Sequence, residues 1–93
     1  MTMYAKDPAA ALGYGVDWAA DYLTGQSIAA SSWAVVPAEA GGLMAETPLI
    51  EGGRTLVTLT GGRAGCVYRV TNQVTFSDGG RDERSLLVRV EER

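Results

Sequence analysis

In the runs Cys66 to Phe76 and Ser85 to Glu91 the apolar side chains recur at every second position, and the runs along the chain are cut by a recurring glycine pair. Period two belongs to extended chain, because successive side chains of a strand point to opposite faces; a helix repeats every 3.6 residues and cannot satisfy this pattern. The cut is the triplet Gly-Gly-Arg, at Gly52-Gly53-Arg54, Gly61-Gly62-Arg63 and Gly79-Gly80-Arg81. Paired glycines supply the positive φ angles of tight hairpins, so each triplet is expected to mark a turn between strands. Spacings of nine and eighteen residues between the triplets fit one strand and one hairpin, not a sequence repeat.

The strands follow. Leu12, Tyr14, Val16 and Trp18 share one face of a first strand. Ile28 to Val36 forms a second, with Trp33 and Val35 on one face and Ile28, Ala34 and Val36 on the other. Leu43 to Ile50 is weaker, and Pro48 assigns it to a sheet edge, where a missing N–H is tolerated. Thr55 to Thr60 is rich in β-branched residues. In Cys66 to Phe76, the strongest run, Cys66, Tyr68, Val70, Asn72, Val74 and Phe76 share a face. Ser85 to Glu91 closes the chain with Leu86, Val88 and Val90 inward. Six or seven short strands in 93 residues predict an all-β chain, an Ig-like antiparallel two-sheet sandwich over residues 12–93. Residues 1–11 read as an extended N-terminal arm lying outside it, and only Pro8 to Gly13 and Asp17 to Leu23 could hold a helical turn. At this length there is one domain with one modest core, burying roughly 60–65% of the unfolded surface.

Tyr68 is the most specific single residue. It follows a glycine-containing turn and stands two residues before the inward-facing Val70. That spacing matches a tyrosine corner, in which the phenol bonds back to backbone a few residues upstream. An ordinary buried tyrosine is the alternative. Trp18, Trp33, Val70 and Phe76 are the remaining core candidates.

Chemistry-bearing residues are sparse. There is no histidine and one cysteine, Cys66, which removes His-based triads, most zinc, haem and iron–sulfur ligand sets and any internal disulfide. Cys66 lacks a base to activate it and reads as a small strand hydrophobe. Asp17-Trp18 and Asp21-Tyr22 set carboxylates beside aromatics, as sugar sites do, yet a sandwich this small offers little cleft for a glycosidase pair. Gly13-Tyr14-Gly15 lacks the third glycine of a dinucleotide loop. Asp78 to Arg84 lacks the alternating acids of a calcium loop and reads as a charged, solvent-facing hairpin. No catalytic residue, cofactor, metal or small-molecule substrate is therefore expected.

Charge is unevenly spread. Up to Gly53 there is one cation, Lys6, against six acids, a net of −5; from Arg54 onward seven arginines face five acids, a net of +2. With a formal net charge of −3 and no lysine cluster, the chain is not built for nucleic acid, whose binding needs concentrated positive charge. The asymmetry reads either as solvated surface or as a dipolar module that stacks on copies or neighbours of opposite sign. No stretch approaches the ~20 apolar residues of a membrane helix. The start has neither the basic n-region nor the long apolar h-region of a signal peptide, and one unpaired cysteine fits synthesis in a reducing cytoplasm.

The order Tyr14-Gly15-Val16-Asp17-Trp18, Ile28-Ala29-Ala30-Ser31-Ser32-Trp33, Gly61-Gly62 through Tyr68-Arg69-Val70-Thr71-Asn72, and Gly80-Arg81-Asp82-Glu83-Arg84-Ser85-Leu86 covers most of the chain. It resembles a family of small virion proteins of tailed bacteriophages and prophages, fibre–tail adaptor or minor tail proteins. The resemblance implies an Ig-like sandwich present in many copies and a structural role in the virion, after synthesis in the host cytoplasm. The expected partners are tail, neck or fibre subunits and copies of itself. Candidate interface residues are Tyr4, Lys6 and Asp7 on the arm and Arg81, Asp82 and Arg84 on the charged hairpin. Two other readings remain open: a capsid decoration protein, and a carbohydrate-binding module, which would need two or three aromatics exposed on one flat face.

Overall fold

The computed structural model describes residues 3–19 and 25–92, and these are all β. Seven strands follow in order: β1 (Met3–Lys6), β2 (Leu12–Asp17), β3 (Ile28–Val36), β4 (Leu43–Glu51), β5 (Arg54–Gly61), β6 (Val67–Phe76) and β7 (Arg81–Val90). A four-stranded sheet has the order β1-β7-β6-β3 and a three-stranded sheet the order β2-β5-β4. They stack as a sandwich 44 Å long. Among the described residues no helix is long and apolar enough to cross a membrane.

All three glycine triplets lie at turns. Gly52-Gly53 is a two-residue hairpin in which Glu51 faces Arg54 and Gly52 takes φ +61°. Gly79, at φ +91°, turns β6 into β7, and the Asp78 carboxylate accepts the Gly80 N–H at 2.8 Å. Gly62 opens the β5–β6 loop at φ +101°, and a Cβ there would stand 2.6 Å from Val90 Cγ2. Only glycine satisfies both the left-handed backbone and that close approach. Pro48 lies in β4, which pairs with β5 alone and carries a register shift between Glu46 and Leu49.

Four expectations change. Residues 3–6 are not an arm outside the sandwich, because Met3–Lys6 pairs with Leu87–Val90 as an edge strand. That pairing is parallel, so the four-stranded sheet is mixed rather than antiparallel throughout. Ile28 shares the inward face of β3 with Trp33, because a bulge between Ile28 and Ala30 adds one residue and inverts the alternation. Strand β7 starts at Arg81 rather than Ser85: the turn needs only Ser77 to Gly80, and Arg81 already pairs with Thr75. The helical turn considered for Asp17 to Leu23 extends into residues 20–24, outside the described ones, as do Asp21 and Tyr22.

The core has two parts. One joins Leu43, Val57 and Leu59 of the smaller sheet to Tyr68, Val70, Leu86, Val88 and Val90 of the larger. The other gathers Val16, Trp18, Ile28, Val74 and Phe76 at the end of the sandwich. A polar network is set into this second part. Trp18 Nε1 donates to Thr55 Oγ1 at 3.1 Å and to Asn72 Oδ1 at 3.0 Å, and the Thr55 hydroxyl donates to the same oxygen at 2.6 Å. Asn72 Nδ2 in turn donates to Ser31 Oγ at 2.9 Å and to the Ser32 carbonyl at 3.0 Å. Trp18, Thr55 and Asn72 are fully buried, and their satisfied hydrogen bonds tie β5 to β6 and β3 across the two sheets.

Candidate interaction surfaces

The six candidate interface residues do not form one surface. Tyr4 and Lys6 point between the sheets, since they pair with the inward-facing Val88 and Val90. Tyr4 packs edge-on against Tyr14, with ring centroids 5.4 Å apart, and Tyr14 meets Trp33 in the same way at 6.3 Å. Lys6 is only 2% exposed; its ammonium donates to Gly61 O at 2.7 Å and to Asp7 O at 2.9 Å, which ties β1 to the start of the β5–β6 loop. Asp7 makes a turn, its carboxylate accepting the Ala9 N–H at 2.8 Å. Asp82 and Arg84 occupy inward positions of β7, and the Arg84 guanidinium lies 4.7 Å above the Trp18 ring, a cation–π contact. Arg81 is the member of the set that faces outward and is exposed.

The core candidates are gathered inside. Tyr68 and Val70 are fully buried and Phe76 nearly so, with Phe76 edge-on to Trp18 at 6.0 Å. Trp33 is half-buried, with its Nε1 enclosed and unbonded among the described residues. Tyr68 Oη accepts the Arg63 N–H at 3.0 Å, five residues upstream, which is the contact expected of a tyrosine corner. The same hydroxyl donates to Glu39 Oε1 at 2.8 Å, and the Arg63 guanidinium donates to Ala40 O at 2.6 and 3.1 Å. Tyr68 thus pins the β3–β4 and β5–β6 connections together.

Burial pushes the Tyr68 phenol above its ordinary pKa, and the bond to the Glu39 carboxylate adds to the effect while the Arg63 N–H opposes it. Burial raises Tyr14 as well. Burial lowers the Lys6 ammonium, against the opposing pull of Asp7. The signs set the alkaline behaviour. A raised tyrosine contributes stability that is present below its unfolded value, about 10, and is lost as pH rises beyond it. The depressed Lys6 works the other way, adding stability as pH climbs toward about 10.4. We expect denaturant midpoints to hold up to about pH 10 and then fall, and Tyr68→Phe to flatten that fall; an equally steep loss in the variant would remove Tyr68 as its cause.

What the molecule offers to partners is therefore its two outer sheet faces and its edges. The outer face of the larger sheet carries Arg69, Arg81 and Arg89 with Glu83, and a row of Met3 and Leu87 beside Arg69. The outer face of the smaller sheet carries Asp17, Glu46 and Glu51 with Arg54. A shallow hollow of about 340 Å³ sits in that second face, lined by Gly13, Thr47, Leu49 and Arg54, with the Leu56 side chain folded over Gly15. Sequence reasoning missed both the hollow and the Asn72 network. In the sequence Gly13-Tyr14-Gly15 signals only an incomplete nucleotide loop, whereas a polar Asn72 between Val70 and Val74 on an apolar face is the available signal of a buried network. Among the described residues no cluster of three or more Cys, Asp or Glu is placed to hold a metal ion.

Residues 6–89 match the family model described as podophage GP4 fiber-tail adaptor protein gp77. No curated protein matches the sequence.

Proposed function

The chain belongs to the podophage GP4 fiber-tail adaptor family, a structural component of the phage particle, and from that premise we propose that it joins tail or neck to fibres through protein–protein contacts alone. The observation that carries the reading is the extent of the match, from Lys6 at the end of β1 to Arg89 in β7, so that β2 to β6, nearly all of β7 and the connections between them fall inside it. The partners are tail, neck or fibre subunits and further copies of this chain, and the site of action is the assembled virion. Catalysis has no part in this reading, and none of the side-chain clusters described above is needed for one.

The geometry supports a connector. Buried hydrogen bonds and the Tyr68 corner stiffen the interior, while the outer faces present charge and apolar relief to neighbours. A sugar-binding role finds less support, since Trp18, Tyr68 and Phe76 are spent on the core and Tyr4 packs edge-on to Tyr14. The experiment is to assemble particles with and without this chain and to image their tails. We expect tails formed without it to lack fibres and to regain them when it is supplied. A full complement of fibres on tails lacking the chain would overturn the proposal.

A further inference from the structure

The charge asymmetry along the chain becomes, in the folded molecule, an asymmetry between opposite faces. Outward positions of the four-stranded sheet carry three arginines and one glutamate, a net of +2; those of the three-stranded sheet carry three acids and Arg54, a net of −2. The relief is matched as well. Met3, 47% exposed, and Leu87 stand in a row beside Arg69 on the basic face. The acidic face is hollow over Gly13, where a Cβ would meet nothing within 4 Å; Leu49, 53% exposed, and Arg54 line the hollow, and Leu56 folds across Gly15 beside it.

We propose that the acidic face of the three-stranded sheet of one copy docks on the basic face of the four-stranded sheet of a second copy. Glu46 and Glu51 face Arg69 and Arg89 around the apolar contact. This deepens the self-association in the adaptor reading and rests on that reading. The three strands of the acidic face, 6, 8 and 9 residues long, offer on the order of 400 Å² in projection, the scale of a weak, salt-sensitive interface rather than the ~800 Å² per partner of a stable one. Because the two surfaces differ, the contact is heterologous: a docked pair keeps one face of each kind free, so copies add in one sense and close as a ring or extend as a stack. The charged pairs set register and orientation, and salt screens them.

The test is sedimentation velocity on the purified chain at low and high salt, with two charge-reversed variants. One is Glu46→Lys with Glu51→Lys; the other is Arg69→Glu with Arg89→Glu. These positions are exposed, and Glu46→Lys removes one surface bond, from the Thr60 hydroxyl to Glu46 Oε1 at 2.6 Å, so circular dichroism should show native fold in both with a midpoint near the native one; if either double variant fails to fold, Glu51→Lys and Arg89→Glu alone serve the same design. We expect the wild type to associate at low salt and to weaken roughly tenfold or more at high salt. Each variant alone should stay monomeric at concentrations where the wild type associates. An equimolar mixture should associate again, because each variant retains the native face its partner needs. A monomeric wild type at low salt, variants that associate like the wild type, or a mixture that stays monomeric would each overturn the proposal. In the first case the two faces pass to tail or fibre subunits, and the adaptor reading stands if the chain still enters particles. Association through these faces by a chain absent from particles would keep the interface and remove the adaptor reading.

Discussion

Replacing Trp18 by alanine is expected to cost about 3–5 kcal/mol of folding stability, the range for removing a fully buried large aromatic. Trp18 is 0% exposed, stacks edge-on against Phe76, lies under the Arg84 guanidinium and donates its Nε1 to both Thr55 and Asn72. Alanine removes all four contacts and leaves a cavity between the sheets. For a domain of this size the loss corresponds to a fall in Tm of roughly 12–40 °C, enough to leave little folded protein at growth temperature. Trp18→Phe separates the contributions. It keeps one six-membered aromatic ring but loses the pyrrole ring with its N–H, so about 1–3 kcal/mol is expected from the weakened polar network and the small void together. Chemical denaturation of both variants is the measurement. A Trp18→Ala loss below about 1 kcal/mol would contradict the burial of this side chain.

The second large effect is expected at Tyr68. Its side chain is 0% exposed, and its hydroxyl bridges Arg63 N and Glu39 Oε1, residues of two different connections. Tyr68→Ala is expected to cost about 3–5 kcal/mol through cavity formation. Tyr68→Phe should cost about 1–2 kcal/mol, since the ring stays and the Arg63 N–H loses its acceptor. Denaturant unfolding gives both values, and native-state hydrogen exchange adds a local readout. In the phenylalanine variant the Arg63 amide should exchange faster than amides at the centre of β6. Equal protection of that amide in variant and wild type would show that the corner bond does not hold the loop.

Much of the strand pattern was legible because period two and glycine turns act locally. Cys66 to Phe76 carries both signals at full strength, and β6 follows it with Tyr68, Val70, Asn72, Val74 and Phe76 all buried. Pro48 marked an edge for a reason that also is local, its missing donor. What escaped was set by pairing between distant segments. A single extra residue at Ala29 reverses which face Ile28 joins, and β-branched or apolar composition carries no trace of that bulge. Lys6 reads as a surface cation until the carbonyl of Gly61, 55 residues away, is found at its ammonium. Arg81 to Arg84 read as a loop because charge suggested solvent, while the turn geometry committed those residues to β7 and brought Arg84 over Trp18. The candidate interface was the least legible part for the same reason. Its members are scattered along the chain, and only the sheet register shows which of them share a face.

The most direct measurement is a reconstruction of the intact phage particle at a resolution that separates strands, with crosslinks from this chain mapped by mass spectrometry. We expect the two-sheet sandwich to fit density between the tail and the fibre roots, with crosslinks to subunits on both sides. Density and crosslinks confined to the capsid shell, or no copies in the particle at all, would contradict the adaptor role.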